Sequence, residues 1–447
     1  MKKRIISLVA TIALIICCIS SLSSCYLFWD FSPVDDYFTQ GGNDQDGQGN
    51  NGGGGNGESS SGSTGGDSTT DKTVEPEFIP GTGANDATLE SFTASSKAIL
   101  SCVTVTANFT KSSYNYGYGS ELESTTREYS AEGSGVIYKL DREKGDAYII
   151  TNFHVVYSST SSNANQISND IKVYLYGQET ETYAIPAKYV GGSMTQDLAV
   201  LKVEGSIVLK NSYALPATIA DSDSIAVMDS VIAIGNPEAQ GMSVTTGIVS
   251  VDSESLGITA ANGKTLISLR VIRVSAAINE GNSGGGLFNA GGELIGIVNA
   301  KKTGSEIDNI GYAIPINIAK NYADSIIYYC DGEGTINPSK CLLGVELTSN
   351  VLGLDVDPES GRITKREIVS VHALQDGSVV KDILFEGDVI NSISVDGVKK
   401  DVTRIHQVVD HMLTAKVGST VILNITRGEQ TTDVTITIPE AALTKVE

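Results

Sequence analysis

Between Ala98 and Ala300 the chain consists of short apolar runs separated by turns rich in glycine, asparagine and serine. Two examples are Ala-Tyr-Ile-Ile over 147–150 and Leu-Ala-Val-Leu-Lys-Val over 198–203. Runs of this length, bounded by turn residues, are typical of strands rather than helices. The pattern predicts an all-β protein of the barrel type over this part of the chain.

Two polar segments interrupt the pattern, and we expect both to be loops. Lys111–Ser130 contains four tyrosines and separates the first two predicted strands, while Tyr157–Asp170 follows the strand at 147–150. The tyrosines are compatible with an adhesive or oligomer surface and equally with plain loop filling, so they assign no role by themselves.

The apolar pattern changes after the predicted barrels. Ile316–Tyr329 is predicted to be a helix that carries the chain out of them, and a new unit begins after Cys341. A second helix is predicted there, because apolar residues recur on one face. His406 and His411 lie off that face, and we expect both at the surface. The apolar positions of this helix are Ile405, Val408, Val409, Met412 and Leu413.

The N-terminus has the pattern of a secretory signal. Lys2-Lys3-Arg4 precedes an apolar run from Ile5 to Ile19, which is too short to span a membrane. Leu-Ser-Ser-Cys over 22–25 resembles the bacterial lipoprotein cleavage box, which implies a signal peptide over 1–24 and lipidation of Cys25. The alternative is a plain secretory signal with an incidental cysteine. Two acyl chains on Cys25 would anchor the protein stably to a membrane.

Residues 25–85 are predicted to be a flexible tether. Gly41–Gly83 is rich in glycine, serine, asparagine and aspartate and has few apolar residues, so it cannot bury a core. The formal net charge of the chain is −22, and ten acidic residues against one lysine between Tyr26 and Pro80 supply −9 of it. Nucleic acid is excluded as an expected partner, because binding it requires clustered Lys and Arg.

Ser283 carries the candidate chemistry. It lies between glycines in Gly-Asn-Ser-Gly-Gly, and a serine hydroxyl needs a base and an oxyanion pocket to act as a nucleophile. His154 is the only histidine upstream of it, and Asp197 stands at the start of an apolar strand where it can orient an imidazole. Taken alone, the Ser283 segment also fits an ordinary turn, His154 also fits a core histidine, and Asp197 also fits a capping aspartate. The order His, Asp, Ser favours a hydrolytic triad.

Three blocks carry a specific family resemblance. Thr-Asn-Phe-His-Val-Val at 151–156, Asp-Leu-Ala-Val-Leu-Lys-Val at 197–203 and Gly-Asn-Ser-Gly-Gly at 281–285 resemble the catalytic blocks of HtrA (Deg-type) serine proteases. The resemblance covers roughly residues 88–438. Further matching segments are 133–137, 233–237, 244–250 and 311–316.

The resemblance implies an all-β chymotrypsin-like double β-barrel protease domain over 86–330 and a small α+β PDZ domain over 341–440. It implies His154 as general base, Asp197 as orienting acid and Ser283 as nucleophile. The backbone N–H groups of Gly281 and Ser283 would form the oxyanion hole. No cofactor is expected, and the sequence has no metal-ligand spacing.

The implied PDZ domain has a candidate ligand loop. Leu342-Leu343-Gly344-Val345 resembles the loop whose N–H groups receive a peptide C-terminal carboxylate, and such domains add the peptide as a strand. We therefore expect Leu343, Gly344 and Val345 to bind protein C-termini. The alternative is that this domain only packs against the protease. The family also implies a homotrimer, of which the composition gives no sign.

The side-chain specificity is predicted from Ala277. In this fold the residue six before the nucleophile lies at the base of the S1 pocket, which receives the side chain preceding the cut. A small neutral residue there cannot hold Lys or Arg, so cleavage after small or medium apolar residues is expected. Gly286, Glu280 and the pair Val274-Ser275 depart from the family pattern, which makes the loop conformations less predictable.

Two cysteines near the predicted domain boundary allow two interpretations. Cys330 and Cys341 are eleven residues apart and could form a disulfide in an extracytoplasmic compartment. Two separate reduced thiols are the alternative.

The leading hypothesis is an extracytoplasmic serine endopeptidase, held by its lipid on the outer face of a bacterial cell membrane, that cleaves unfolded or damaged envelope proteins. The alternative is a PDZ-based peptide-binding or chaperone lipoprotein with little proteolytic activity. The intact triad favours the first hypothesis, and the altered loops are compatible with the second. A weaker third hypothesis is a narrowly specific processing protease.

Overall fold

The computed structural model describes residues 95–116, 122–237, 240–300, 310–332, 338–359 and 361–445. The predicted signal peptide, Cys25 and the tether lie outside these residues. Within the described ranges, no helix has the length and apolar character needed to cross a membrane.

The first third of the described chain forms a closed six-stranded barrel in the order β1-β2-β3-β6-β5-β4. Alternate residues of β1, from Val103 to Phe109, point inward and are fully buried, as the two-residue period of a strand requires. A short helix α1 (Phe153–Val156) follows β3, and α2 (Ile207–Lys210) follows β6. The strands are β1 (Cys102–Tyr116), β2 (Leu122–Asp141), β3 (Asp146–Thr151), β4 (Asp170–Leu175), β5 (Ile185–Ser193) and β6 (Leu198–Val203).

The prediction that Lys111–Ser130 is a loop is wrong. β1 and β2 pair without interruption from Cys102 opposite Val136 to Tyr116 opposite Leu122, so most of the segment is an extended hairpin. Threonine and tyrosine favour strands even where neither face is apolar. The second polar segment, Tyr157–Asp170, packs against this hairpin through hydrogen bonds such as Tyr129 OH to Ser158 Oγ, 2.7 Å.

A second closed barrel follows, in the order β10-β11-β12-β9-β8-β7. All six residues of β11 are buried. Its strands are β7 (Ser230–Gly235), β8 (Ser243–Thr259), β9 (Leu266–Val274), β10 (Gly286–Asn289), β11 (Leu294–Asn299) and β12 (Gly311–Pro315).

The predicted helix after the barrels is confirmed as α3 (Ile316–Ile326), which continues as a π-helical turn over Ile327–Gly332. The C-terminal domain has a sheet in the order β14-β15-β16-β18-β19, with β17 paired to β16 and β13 paired to β20. The fold class is therefore as predicted. The elements are β13 (Ser339–Cys341), β14 (Val345–Val356), β15 (Ile363–Leu374), β16 (Val389–Val395), β17 (Val398–Asp401), α4 (Ile405–Met412), β18 (Thr420–Arg427), β19 (Gln430–Thr437) and β20 (Leu443–Lys445).

The packing decides between the two interpretations of the cysteines and corrects the prediction for His406. Cys330 and Cys341 are not joined by a disulfide. Cys330 packs in the cluster around α3, and Cys341 belongs to the core of the C-terminal domain. His406 is not a surface residue, because its ring faces Asp223 of the barrel domain at 3.4 Å and its side chain is 12% exposed.

The two barrels are joined at Ser134 in β2. Its backbone N–H donates to the Ser283 carbonyl at 2.8 Å, and its hydroxyl donates to the Gly281 carbonyl at 2.8 Å. The hydroxyl also accepts the Asn236 N–H at 2.8 Å. One side chain of the first barrel therefore fixes the loop that carries Ser283 in the second.

We predict that Gly284→Ala destabilises the protein by about 3 kcal/mol, because overpacking a tight contact costs this much. Gly284 has φ +85°, and a Cβ there would overlap the Ser134 carbonyl oxygen and Thr151 Oγ1. Urea unfolding measures the change. The matched control is Gly257→Ala in β8, where a Cβ meets no atom within 4 Å. Equal stability of the two variants would contradict this account of the barrel interface.

Candidate active site

His154 and Asp197 form a tight pair between α1 and the start of β6. Asp197 Oδ2 lies 2.7 Å from His154 Nδ1, and Asp197 Oδ1 accepts the His154 backbone N–H at 3.0 Å. An ionised carboxylate only accepts hydrogen bonds, so Nδ1 carries the proton and Nε2 presents its lone pair. The ring tautomer is therefore the one that a general base at Nε2 needs.

Asp197 is itself held on several sides. It is 1% exposed and has φ +52°, a conformation that non-glycine residues seldom adopt. The Asn299 side chain donates to Asp197 Oδ2 at 2.9 Å, and the Asn152 side chain donates to the Asp197 carbonyl at 2.9 Å. Because a buried carboxylate is costly without donors, these contacts are part of what holds Asp197 in place.

Asn299 and Asn152 are site residues that the sequence reasoning missed. Asn152 lies inside the block that identified His154 and could have been found there. Asn299 is the last residue of β11, whose six residues are all buried. A polar side chain at the end of such a strand is the available signal, since burial demands a hydrogen-bonding partner.

Ser283 lies on a loop between Gly281 and Gly284. Gly281 and Gly284 have φ +93° and +85°, values that glycine adopts without strain. Ser283 Oγ accepts the Ala300 backbone N–H at 3.1 Å. Among the described residues, no hydrogen bond joins Ser283 Oγ to His154. Within that same part of the chain, the N–H groups of Gly281 and Ser283 donate to no acceptor.

The end of β11 contacts both Asp197 and the loop that carries Ser283. Asn299 contacts Asp197, and the next residue, Ala300, contacts Ser283. The Gly284 N–H donates to the Val298 carbonyl at 2.9 Å, which fixes the serine loop against the same strand end. The structure thus brings His154, Asp197 and Ser283 into one region at the junction of the two barrels.

Ala277 lies on the segment between β9 and the serine loop. Its side chain is exposed and uncharged, and its carbonyl accepts the Thr245 hydroxyl at 2.9 Å. The geometry therefore offers a small neutral surface six residues before Ser283.

Leu343, Gly344 and Val345 line a cavity of about 560 Å³ that the C-terminal domain and the barrel domain bound together. Gly344 has φ +70°, and the carbonyls of Leu343 and Gly344 accept the N–H groups of Val379 and Gln375 inside the domain. Within the described ranges, the N–H groups of Leu343 and Gly344 have no acceptor. β14 is the edge strand beside this loop.

Comparison with known proteins shows similarity to serine proteases. Residues 133–297, which include His154, Asp197 and Ser283, match the model of the trypsin-like peptidase domain. The serine protease Do-like HtrB of Bacillus subtilis is 40% identical over 196 residues, which are 43% of this chain and 38% of that protein. The periplasmic serine endoprotease DegP of Escherichia coli is 32% identical over 335 residues, 74% of this chain and 62% of that protein.

Among solved structures, the chain is similar to the HtrA-type protease AlgW with decapeptide, at 26% identity, 78% coverage of this chain, 98% of that chain and a TM-score of 0.46. The chain spans less than two thirds of the length of HtrB and of DegP. It covers 74% of the serine protease Do-like HtrA of Lactobacillus helveticus at 31% identity over 346 residues. The chain therefore belongs to the HtrA family of serine proteases.

Proposed function

We propose that this chain is a serine endopeptidase with His154 as general base, Asp197 as orienting acid and Ser283 as nucleophile. The observation that carries the proposal is the pair of His154 with the buried Asp197, at 2.7 Å, beside a serine on a glycine loop. Family membership supports the same roles.

In the proposed mechanism, Ser283 Oγ first turns from the Ala300 N–H toward His154 Nε2. His154 takes the hydroxyl proton while Oγ attacks the carbonyl carbon of the scissile peptide bond. The N–H groups of Gly281 and Ser283 stabilise the oxyanion that forms. His154 then protonates the leaving amine, and a water molecule, activated by the same histidine, hydrolyses the acyl-enzyme. Asp197 stabilises the imidazolium in both steps.

The proposed substrates are unfolded or damaged proteins of the cell envelope, cut after small or medium apolar residues. The neutral Ala277 supports this specificity, because a lysine or arginine side chain would find no charge there to offset its desolvation. Ser283 is 5% exposed, so we infer that an extended, flexible segment reaches it more readily than a folded surface.

The C-terminal domain is proposed to be a PDZ domain that binds protein C-termini. A bound peptide would add to the edge strand β14, and its carboxylate would meet the N–H groups of the Leu343–Val345 loop. The positive φ of Gly344 supports this proposal, since the turn leaves the loop carbonyls bonded inside the domain.

We further propose that the protein acts outside the cytoplasm, anchored by a lipid on Cys25, and that it assembles as a homotrimer. The Escherichia coli relative DegP is named a periplasmic serine endoprotease, which supports a site of action outside the cytoplasm. The lipid and the trimer rest on the sequence resemblance alone.

A second candidate function is peptide binding or chaperoning with little proteolysis. One observation favours it: Ser283 Oγ is bonded to the Ala300 N–H instead of His154. If that arrangement persisted with substrate bound, the hydroxyl would not be activated.

We predict that the full-length protein cleaves unfolded casein and that Ser283→Ala abolishes this cleavage, because no other described group replaces the nucleophile. Gel electrophoresis after incubation measures it. A folded protein that is not cut serves as the substrate control. Casein cut equally by the variant would assign the activity elsewhere, and casein left intact by the wild type would favour the chaperone function.

Asn299→Leu is predicted to lower kcat about tenfold with little change in KM, because a hydrogen bond to a buried charge is lost. Asn299→Ser, which keeps a donor, should retain more of kcat. Both parameters can be measured with a chromogenic peptide that ends in valine. An unchanged kcat in an equally stable Asn299→Leu variant would remove Asn299 from the positioning of Asp197.

Digestion of a peptide library should give cuts after Val, Ala and Leu far more often than after Lys or Arg. The physical reason is the uncharged Ala277 at the base of the proposed pocket. Mass spectrometry of the products identifies the residue before each cut. A preference for Lys or Arg would contradict the pocket assignment.

A further inference from the structure

The cavity that would receive a peptide is bounded by both domains. α4 and the loop before β14 form its walls within the PDZ domain, with apolar side chains such as Val408 and Met412. The barrel domain supplies the remaining wall through Gln196, Ser268 and Arg270. A peptide seated in this cavity would therefore touch the barrel domain as well as the PDZ domain.

The helix that forms one wall is tied to the barrel domain by charge. Asp410, on α4, pairs with Arg270 of β9. His406, on the same helix, faces Asp223 of the barrel domain at 3.4 Å. Lys400, in β17, pairs with Asp223. His406 and Asp410 thus line the cavity together with the apolar residues of α4 and also face the barrel domain.

The junction continues at the start of α4 and at the tip of the β14–β15 hairpin. Arg404, just before α4, donates to Asp252 of β8 at 2.9 Å and to Glu367 of β15 at 3.1 Å. Arg362, at the start of β15, pairs with Asp229 of the barrel domain. Apart from the Arg270–Asp410 pair, the barrel domain supplies acids and the PDZ domain supplies bases.

Several of these groups are withdrawn from water. The side chains of Asp223 and Asp410 are 3% and 6% exposed, and burial raises the pKa of Asp410 to about 6. Removing one member of a buried pair leaves the other uncompensated, so neutralising the barrel acids should weaken the docking of the PDZ domain.

Charge also indicates the occupant of the cavity. Lys340 lines it beside the Leu343–Val345 loop, and in the described part of the chain no acidic side chain pairs with this lysine. Burial lowers the pKa of Lys340, as expected for an amine without a counter-ion. A peptide C-terminus that ends in an apolar residue supplies both the missing carboxylate and a side chain for the apolar walls.

We propose that the peptide site is shared between the two domains, so that the ion pairs of the junction set its affinity for C-terminal peptides. This inference rests on the proposed PDZ function. The barrel domain supplies its wall of the cavity only when α4 is docked against it. A peptide that contacts this wall therefore binds the docked arrangement more tightly than the undocked one. Acids outside the cavity, Asp223 and Asp252, then control binding without touching the peptide.

The test uses the full-length chain with Ser283→Ala, to prevent cleavage, and a fluorescent decapeptide ending in valine with a free carboxylate. Fluorescence anisotropy gives the Kd. Asp223→Asn combined with Asp252→Asn should weaken binding about tenfold, the usual size of such a coupling. The matched control is Glu204→Gln, which removes an acid that is ion-paired with Lys188 and Lys202 within the first barrel and should leave Kd unchanged.

Asp229→Asn, at the far end of the junction, is a second variant to be used if the first one unfolds. It should also weaken binding of the peptide. An unchanged Kd in variants that remain folded would show a self-contained PDZ groove and overturn the proposal. A tighter Kd would mean that docking obstructs the groove, which also overturns it. If the parent protein does not prefer the free-carboxylate peptide to its C-terminal amide, the proposed PDZ function itself fails.

Discussion

A carboxylate that is 1% exposed, such as Asp197, persists only where donors surround its charge, and this requirement organises the active-site region. The donors come from His154 after β3 and from Asn299 at the end of β11. These strands belong to different barrels. The two barrels must therefore pack in one relative position for the Asp197 charge to receive its hydrogen bonds. The same relative position also places Ser283.

At the serine loop and at the domain junction, too, a short segment contacts two separate parts of the protein. Ser134 joins the first barrel to the Ser283 loop, and the end of β11 contacts both the acid and the nucleophile. At the junction, α4 lines the proposed peptide groove and also carries an ion pair to the barrel domain. In both places one short segment contacts two sites. A change at one of these sites is therefore expected to affect the other.

Much of the fold was predictable because its signals are local. Apolar runs bounded by turns predicted the barrel strands, and the apolar face of Ile405–Leu413 predicted α4. The hairpin over Lys111–Ser130 was missed because both of its faces are polar and its partner strand, not its own pattern, keeps it extended. The burial of His406 depends on Asp223, which lies in another domain. The contact of Asn299 with Asp197 spans 102 residues, and no spacing rule predicts a pairing at that range.

The central claim is that His154 activates Ser283 for nucleophilic attack. The most direct measurement is the rate and site of modification by a fluorophosphonate, located by mass spectrometry in the wild type and in His154→Ala. The account predicts one adduct, on Ser283, that forms in the wild type and is nearly absent in the variant. An adduct that forms equally fast without His154, or none on Ser283 in the wild type, would contradict it.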